Sequence, residues 1–219
     1  MTPRVTQVRD GSVAVVTMDD GKVNAVNDAM LDGLESALDA ADGARAIVLA
    51  GRDGVFCGGF DLSVVGQGGP AADALVRRGG QVLARLYRSK VPLVVACTGH
   101  AVALGAVLLM ATDYRVGADA DVAIGLNEVA IGMPLPELAV ALAHERLSAP
   151  LRTRAVVLAE MWPPRRAVDV GFLDEVVAPD RVVATAIDRA KDLGTRLQPD
   201  AYATTSRRLR ALETLTLQP

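Results

Sequence analysis

VPLVVACTGHAVALGAVLLMAT, Val91–Thr112, runs for 22 residues without a Lys, Arg, Asp or Glu. That is long enough to cross a bilayer as one helix. Its internal pattern argues otherwise. VPLVVAC is β-branched and carries its proline at the start, as a buried strand can. Gly99-His100 interrupts the run, and ALGAVLLMA reads as a separate apolar helix. A strand, a turn and a buried helix account for the stretch better than one membrane helix.

Outward from there, the same alternation continues. Ala46–Ala50, AIVLA, is a short apolar run typical of a parallel strand. Thr6–Val8 and Ser12–Met18 read as strands about an Asp10-Gly11 turn. Asn27 or Asp28 can cap a helix whose apolar positions are Met30, Leu31, Leu34, Ala37 and Leu38. Further helices are expected over Ala71–Arg88, Pro136–Leu147, Leu151–Leu158, from Trp162-Pro163-Pro164 to Gly171, and over Asp180–Leu197. Strands are expected near Tyr114–Gly117 and Phe172–Val177, a loop over Gly51–Gly59, and a mobile loop over Gly66–Pro70. The pattern predicts an α/β chain of repeated ββα or βα units.

Composition excludes several classes. The 219 residues suit one domain, and 51% hydrophobic with 22% charged residues excludes disorder. A net charge of −3 and 3% aromatics argue against nucleic acid as the main partner. The N-terminal MTPRVTQVRDG lacks the apolar core of a signal peptide, so a cytoplasmic location is expected, with no membrane partner. Cys57 and Cys97 read as small buried hydrophobes, although Cys57 in its glycine-rich loop is also a candidate nucleophile. His100 reads as a turn residue and His144 as a helix-surface residue. No metal-ligand spacing is present. GQGGPA, Gly66–Ala71, formally matches the dinucleotide loop, but Pro70 sits inside it and no acid between Ala74 and Thr112 could hold a ribose.

Two backbone features carry more chemistry. In VFCGGFDL, Val55–Leu62, Gly58 and Gly59 let the chain turn sharply, and the N–H of Phe60 stands at a helix start. VALGAVLL, Val102–Leu109, is a second helix start after a strand. Two such amides aimed at one oxygen make an oxyanion hole. Spacing alone reads equally as two tight strand–helix turns. The third feature is AIGLNEVAIG, Ala123–Gly132. Its single acid, Glu128, has no nearer cation in sequence than Arg115 before it and Arg146 after it. An unpaired carboxylate among apolar residues is a candidate base.

Taken together, RAIVLAGRDGVFCGGFDL (Arg45–Leu62) and VPLVVACTGHAVALGAVLLMATDYRV (Val91–Val116) resemble two signature blocks of the crotonase (enoyl-CoA hydratase/isomerase) superfamily. KVNAVN (Lys22–Asn27) resembles its early segment, and AVDVGFLDEVV (Ala167–Val177) its late one. Within the superfamily, IGLNEVAIG, LARLYRSK and WPPRRAVDVG are most similar to the short Δ3,Δ2-enoyl-CoA isomerases. The resemblance implies a ClpP/crotonase-like α/β fold over residues 1–178 and a shortened C-terminal helical segment, 179–219, serving trimerisation. It implies an acyl-CoA thioester as substrate, with coenzyme A as part of it and no permanently bound cofactor. A homotrimer or hexamer is expected.

The resemblance also assigns residues. Glu128 becomes the lone base, and Phe60 and Leu104 become the oxyanion amides. Relatives carry glycine at the second amide, so Leu104 changes the pocket wall, and Gly105 is expected to let the chain adapt. Hydratases use a second glutamate, which would fall at Val107. Val107 is expected to line an apolar acyl site, Asn127 to orient backbone or the Glu128 carboxylate, and Asp61 to cap a helix beside Leu62. Lys22, Ala25 and Val26 resemble the part that lies beside the adenine of coenzyme A. Arg77, Arg78, Arg85 and Lys90 either meet its phosphates or form a solvated helix face. An enoyl-CoA hydratase, or an acyl-CoA binder with weak chemistry, remain the alternative readings.

Overall fold

The computed structural model describes residues 4–210. Two sheets are built from alternating strands. The first has six strands in the order β1 (Val5–Asp10), β2 (Val13–Met18), β3 (Ala46–Ala50), β5 (Leu93–Cys97), β7 (Tyr114–Ala118) and β9 (Glu175–Val177). The β1–β2 hairpin is antiparallel; every other pair is parallel. The second sheet is parallel and has three strands, β4 (Gly54–Cys57), β6 (Gly99–Val102) and β8 (Ile124–Gly125). Each of these follows directly on a strand of the first sheet. The repeated unit is therefore strand, strand, helix.

The charge-free stretch Val91–Thr112 contains three of these elements: β5, β6 and helix α4 (Leu104–Met110). Every residue of β5 and of α4 is buried, which is why no charge is tolerated there. No helix among the described residues is long and apolar enough to cross a membrane. The corner between β5 and β6 falls at Gly99. A Cβ there would lie 1.9 Å from the carbonyl carbon of Gly54, so the two corners can only touch as bare backbone.

Helix α1 (Asp28–Ala40) is capped by Asn27, whose side chain accepts from the N–H of Met30, and it buries Met30, Leu31, Leu34, Ala37 and Leu38. Helices α2 (Leu62–Val65) and α3 (Gly69–Tyr87) follow β4; α5 (Glu137–Arg146), α6 (Ala149–Val156) and α7 (Pro164–Val170) follow β8. Buried residues of these helices join one face of the large sheet and the small sheet in the main core. The other face carries Val13, Val15, Val48, Val94 and Val116, and helix α8 (Val182–Arg196) covers it. Val182, Ala186 and Ala190 recur every fourth residue on α8 and form its buried stripe. Thus α8, beyond residue 178, packs on its own chain's sheet. Helix α9 (Pro199–Leu209) ends the described chain; the rest of the expected terminal segment, 211–219, lies outside the described residues.

Four local expectations are corrected. Gly51–Gly59 is not all loop, because Gly54–Cys57 pairs with β6. His100 lies within β6 and not at a turn; it is exposed, and its Nδ1 accepts from the N–H of Ala123 at 3.0 Å. Gly69 and Pro70 already belong to α3, with the proline in the first turn where its missing N–H costs nothing. Of Phe172–Val177, only Glu175–Val177 is strand. His144 is exposed on α5, as expected.

Candidate active site

The three strands of the small sheet run parallel, so their C-terminal ends lie along one edge. Such an edge is where open parallel sheets hold ligands. Phe60 stands three residues past β4, Leu104 two past β6, and Glu128 three past β8. Side chains and amides distant in sequence are gathered here by topology.

The Phe60 loop is pinned from one side by Val26. The N–H of Gly58 donates to the Val23 carbonyl, that of Val26 to Gly59, and that of Asp61 back to Val26, at 2.8–3.0 Å. The N–H of Phe60 stands between these bonds and has no acceptor among the described residues. Gly59 adopts φ +97°, a conformation for glycine. A Cβ on Gly59 would lie 3.0 Å from that of Ala103 and 3.7 Å from the Leu104 nitrogen, so the two loops meet at this point. Leu104 is the first residue of α4, and its N–H is likewise without an acceptor among the described residues.

The device that turns the second loop differs from expectation. Gly105 does not supply the adaptation. Its bareness lets α4 approach β4, since a Cβ there would lie 2.1 Å from the Cys57 carbonyl oxygen. The unusual conformation sits on Ala103, at φ 53°, ψ −122°. For a residue with a Cβ that is strained backbone.

Glu128 leads into a 3-10 turn, Val129–Ile131, that caps the exit from β8. It is half-buried, yet its Oε2 is fully enclosed and has no partner among the described residues. Burial without a cation pushes the carboxyl above the usual glutamate range, against a smaller opposing pull from its own backbone N–H. Asn127 departs from expectation. Its side chain bonds neither Glu128 nor backbone among the described residues, and its buried Oδ1 is also unpaired.

The remaining expected residues divide clearly. Val107 is buried in α4 within the main core. Asp61 caps α2; it accepts from the N–H and hydroxyl of Ser63 and weakly from Asn27, which hold its carboxyl below the usual range. Leu62 is 62% exposed. Lys22 is exposed and Ala25 half-buried in a loop ordered by Asp20, which accepts from the backbone of Lys22, Asn24 and Ala25. Neither Asp20 nor the buried Asn24, at φ 52°, was expected to order this loop. An Asp followed four residues later by an Asn that tolerates positive φ was the available signal. Arg78 pairs with Asp28, Asp32 and Glu35, and Arg85 with Asp39. Both arginines thus clamp α3 to α1. Arg77 and Lys90 are exposed. Cys57 and Cys97 are enclosed, and burial pushes each thiol up to about 12, which removes Cys57 as a nucleophile. Among the described residues no cluster of metal-ligating side chains occurs.

A carboxylate with one enclosed, unpartnered oxygen, at the same sheet edge as two unsatisfied amides, can shuttle a proton while an oxyanion is held. The sequence family model that describes enoyl-CoA hydratase/isomerase matches residues 8–218. This chain belongs to the enoyl-CoA hydratase/isomerase family. Its fold is accordingly crotonase-like. A Mycobacterium tuberculosis protein, described as an enoyl-CoA isomerase in one solved structure and as a probable enoyl-CoA hydratase in another, superposes with a TM-score of 0.92 at 40% identity, over 96% of this chain and 92% of that one. Human mitochondrial enoyl-CoA delta isomerase 1 is 32% identical over 181 residues, 80% of this chain and 60% of that protein. A probable enoyl-CoA hydratase of Bacillus subtilis is 30% identical over 196 residues, 85% of this chain and 73% of that one. The chain spans about 60% of the length of the human relative. Family membership therefore covers both reaction types.

Proposed function

We propose that the chain isomerises 3-enoyl-CoA to 2-enoyl-CoA with Glu128 as the only base. The observations that carry the reading are the enclosed, unpartnered Oε2 of Glu128 and the apolar, buried Val107, which stands where the family resemblance puts a hydratase's second glutamate. Hydration needs a group to activate water and another to place a proton; allylic migration needs one group acting twice.

In this reading the thioester oxygen lies between the N–H groups of Phe60 and Leu104. The Glu128 carboxylate takes a proton from C2. The C–H electron pair forms the C1–C2 double bond, and the carbonyl pair moves onto oxygen to give a dienolate. That oxyanion accepts from the two amides, each worth about 3 kcal/mol to the barrier. The protonated Glu128 then returns the proton to C4, the C2–C3 double bond forms and the carbonyl is restored. No atom is gained or lost. The raised basicity of Glu128, which comes from its burial, favours proton uptake in the first half of the reaction.

Coenzyme A enters only as the thiol half of the substrate, with the Lys22–Val26 loop proposed beside its adenine. A trimer, or a dimer of trimers, is the proposed assembly. The test uses 3-hexenoyl-CoA and, in parallel, crotonyl-CoA in water. We expect isomerisation to exceed hydration and to fall about a thousandfold in Glu128→Gln, with acyl-CoA binding retained. Brisk hydration would favour the hydratase reading, and binding without turnover would make the chain an acyl-CoA binder.

A further inference from the structure

Helix α3 carries a glycine pair, Gly79-Gly80, on its buried face, in the middle of 19 helical residues. Glycine inside a helix weakens it, so a reason for its presence is to be sought in what it touches. A Cβ on Gly79 would lie 2.5 Å from both Cε1 and Cζ of the Phe60 ring and 3.9 Å from Cδ2 of Leu104. These are the side chains of the two residues whose amides lack acceptors at the site. Phe60 is only partly buried, and its ring packs against the main core. One face of one helix therefore bears on both halves of the candidate oxyanion pocket.

The helix is itself held in register. Arg78, the residue next to Gly79, reaches Asp28, Asp32 and Glu35 on α1. Helix α1 starts at the Asn27 cap directly after Val26, and Val26 brackets the Phe60 peptide with backbone bonds on both sides. The backbone of residue 60 is fixed through α1, and its ring is seated on α3.

We propose that Gly79 is a positioning residue for the oxyanion pocket: its missing side chain gives the Phe60 ring a berth, which lets α3 close on Phe60 and Leu104 and holds the two amides in register. The inference rests on reading those amides as the oxyanion donors. A methyl group at position 79 must expel the ring or lift the helix, and either shift moves a donor loop.

The experiment compares wild type, Gly79→Ala, Phe60→Leu and the double variant. One readout is kcat and KM with 3-hexenoyl-CoA. A second needs no turnover: the ultraviolet absorbance of acetoacetyl-CoA enolate formed on binding, which reports the pocket directly. Thermal unfolding is followed for all four. For Gly79→Ala we expect kcat to fall by about ten- to a hundredfold with KM within about twofold, as a small misplacement of reacting groups does. Bound enolate should fall with it. In the Phe60→Leu background, whose shorter side chain leaves room, the same alanine should cost less than about threefold, a coupling only contacting residues show. Unchanged kcat and enolate in Gly79→Ala, whatever its melting temperature, would overturn the proposal. So would an undiminished effect in the double variant, or no enolate signal in wild type. If wild type fails to isomerise but its enolate signal answers to Gly79→Ala, the isomerase reading falls and the positioning role stands.

Discussion

Glu128 holds its carboxylate in a place where the charge is poorly solvated, and this has a sign in stability as well as in chemistry. Its folded-state pKa lies above the unfolded value because burial disfavours the ionised form. The folded chain therefore binds the extra proton between those two values, and folding stability falls as pH rises through that window. Glu128→Gln removes the cost. We expect the variant to melt higher than wild type at neutral pH, with the gain vanishing below the ordinary glutamate range near 4.3. The acid limb of kcat/KM should turn above that same range. A gain that persists at acid pH would mean that the amide stabilises by some other contact. Ala103 makes the second case. Its φ of 53° and ψ of −122° are strained for any side chain, at about 1–3 kcal/mol. Ala103→Gly relieves that strain and loses part of the gain to the freer unfolded chain. A net stabilisation of about 1 kcal/mol is expected in urea unfolding. Both residues show the same trade: local stability is given up where the chemistry is aimed.

Among the elements, helix α9 is tied down by one carboxylate. Asp113 accepts from Arg210, from the Tyr202 hydroxyl at 2.8 Å and from the N–H of Leu93 at 2.8 Å. Arg210 is 8% exposed and also donates to the Tyr87 carbonyl, stacking on that ring. Asp113→Ala leaves a buried guanidinium without its partner. We expect a loss of about 3 kcal/mol in denaturant unfolding, little altered by added salt because the pair is enclosed. A loss under about 1 kcal/mol would show that the pair behaves as a surface contact. Helices and long strands were largely legible because their burial is periodic: the five buried positions on α1 lie at the spacing read from its sequence. Strands β4, β6 and β8 were not. They run for four, four and two residues, too few to show a period, and Gly54 and Gly99 read as loop formers. These short strands are also the ones that deliver the site.

At the scale of the whole molecule, the two sheets divide the labour. The large sheet and the helices on its two faces bury the core, while the small sheet brings residues 60, 104 and 128 to one edge. The members of the site were readable individually: a glycine-rich turn, a helix start and a lone acid. What composition and spacing left open was their meeting, since that depends on pairings such as Val26 with Phe60 and Gly54 with Gly99, between segments about thirty to forty-five residues apart. The resemblance to known relatives supplied that information; periodicity did not. Gly79 stayed invisible because its importance is an absence, a methyl group not present where a ring must lie.

Main-chain donors have a further consequence for how such a chain ages. An N–H is common to every residue but proline, so mutation can redraw the side chains at positions 60 and 104 without deleting the groups that would hold the oxygen. Under the proposed function, drift there would alter which acyl group is welcomed, and the electrophilic half of the site would persist. The carboxylate has no such insurance: a single base change can erase it. A lineage built on this plan can therefore wander widely in substrate preference while its vulnerability stays concentrated in one codon.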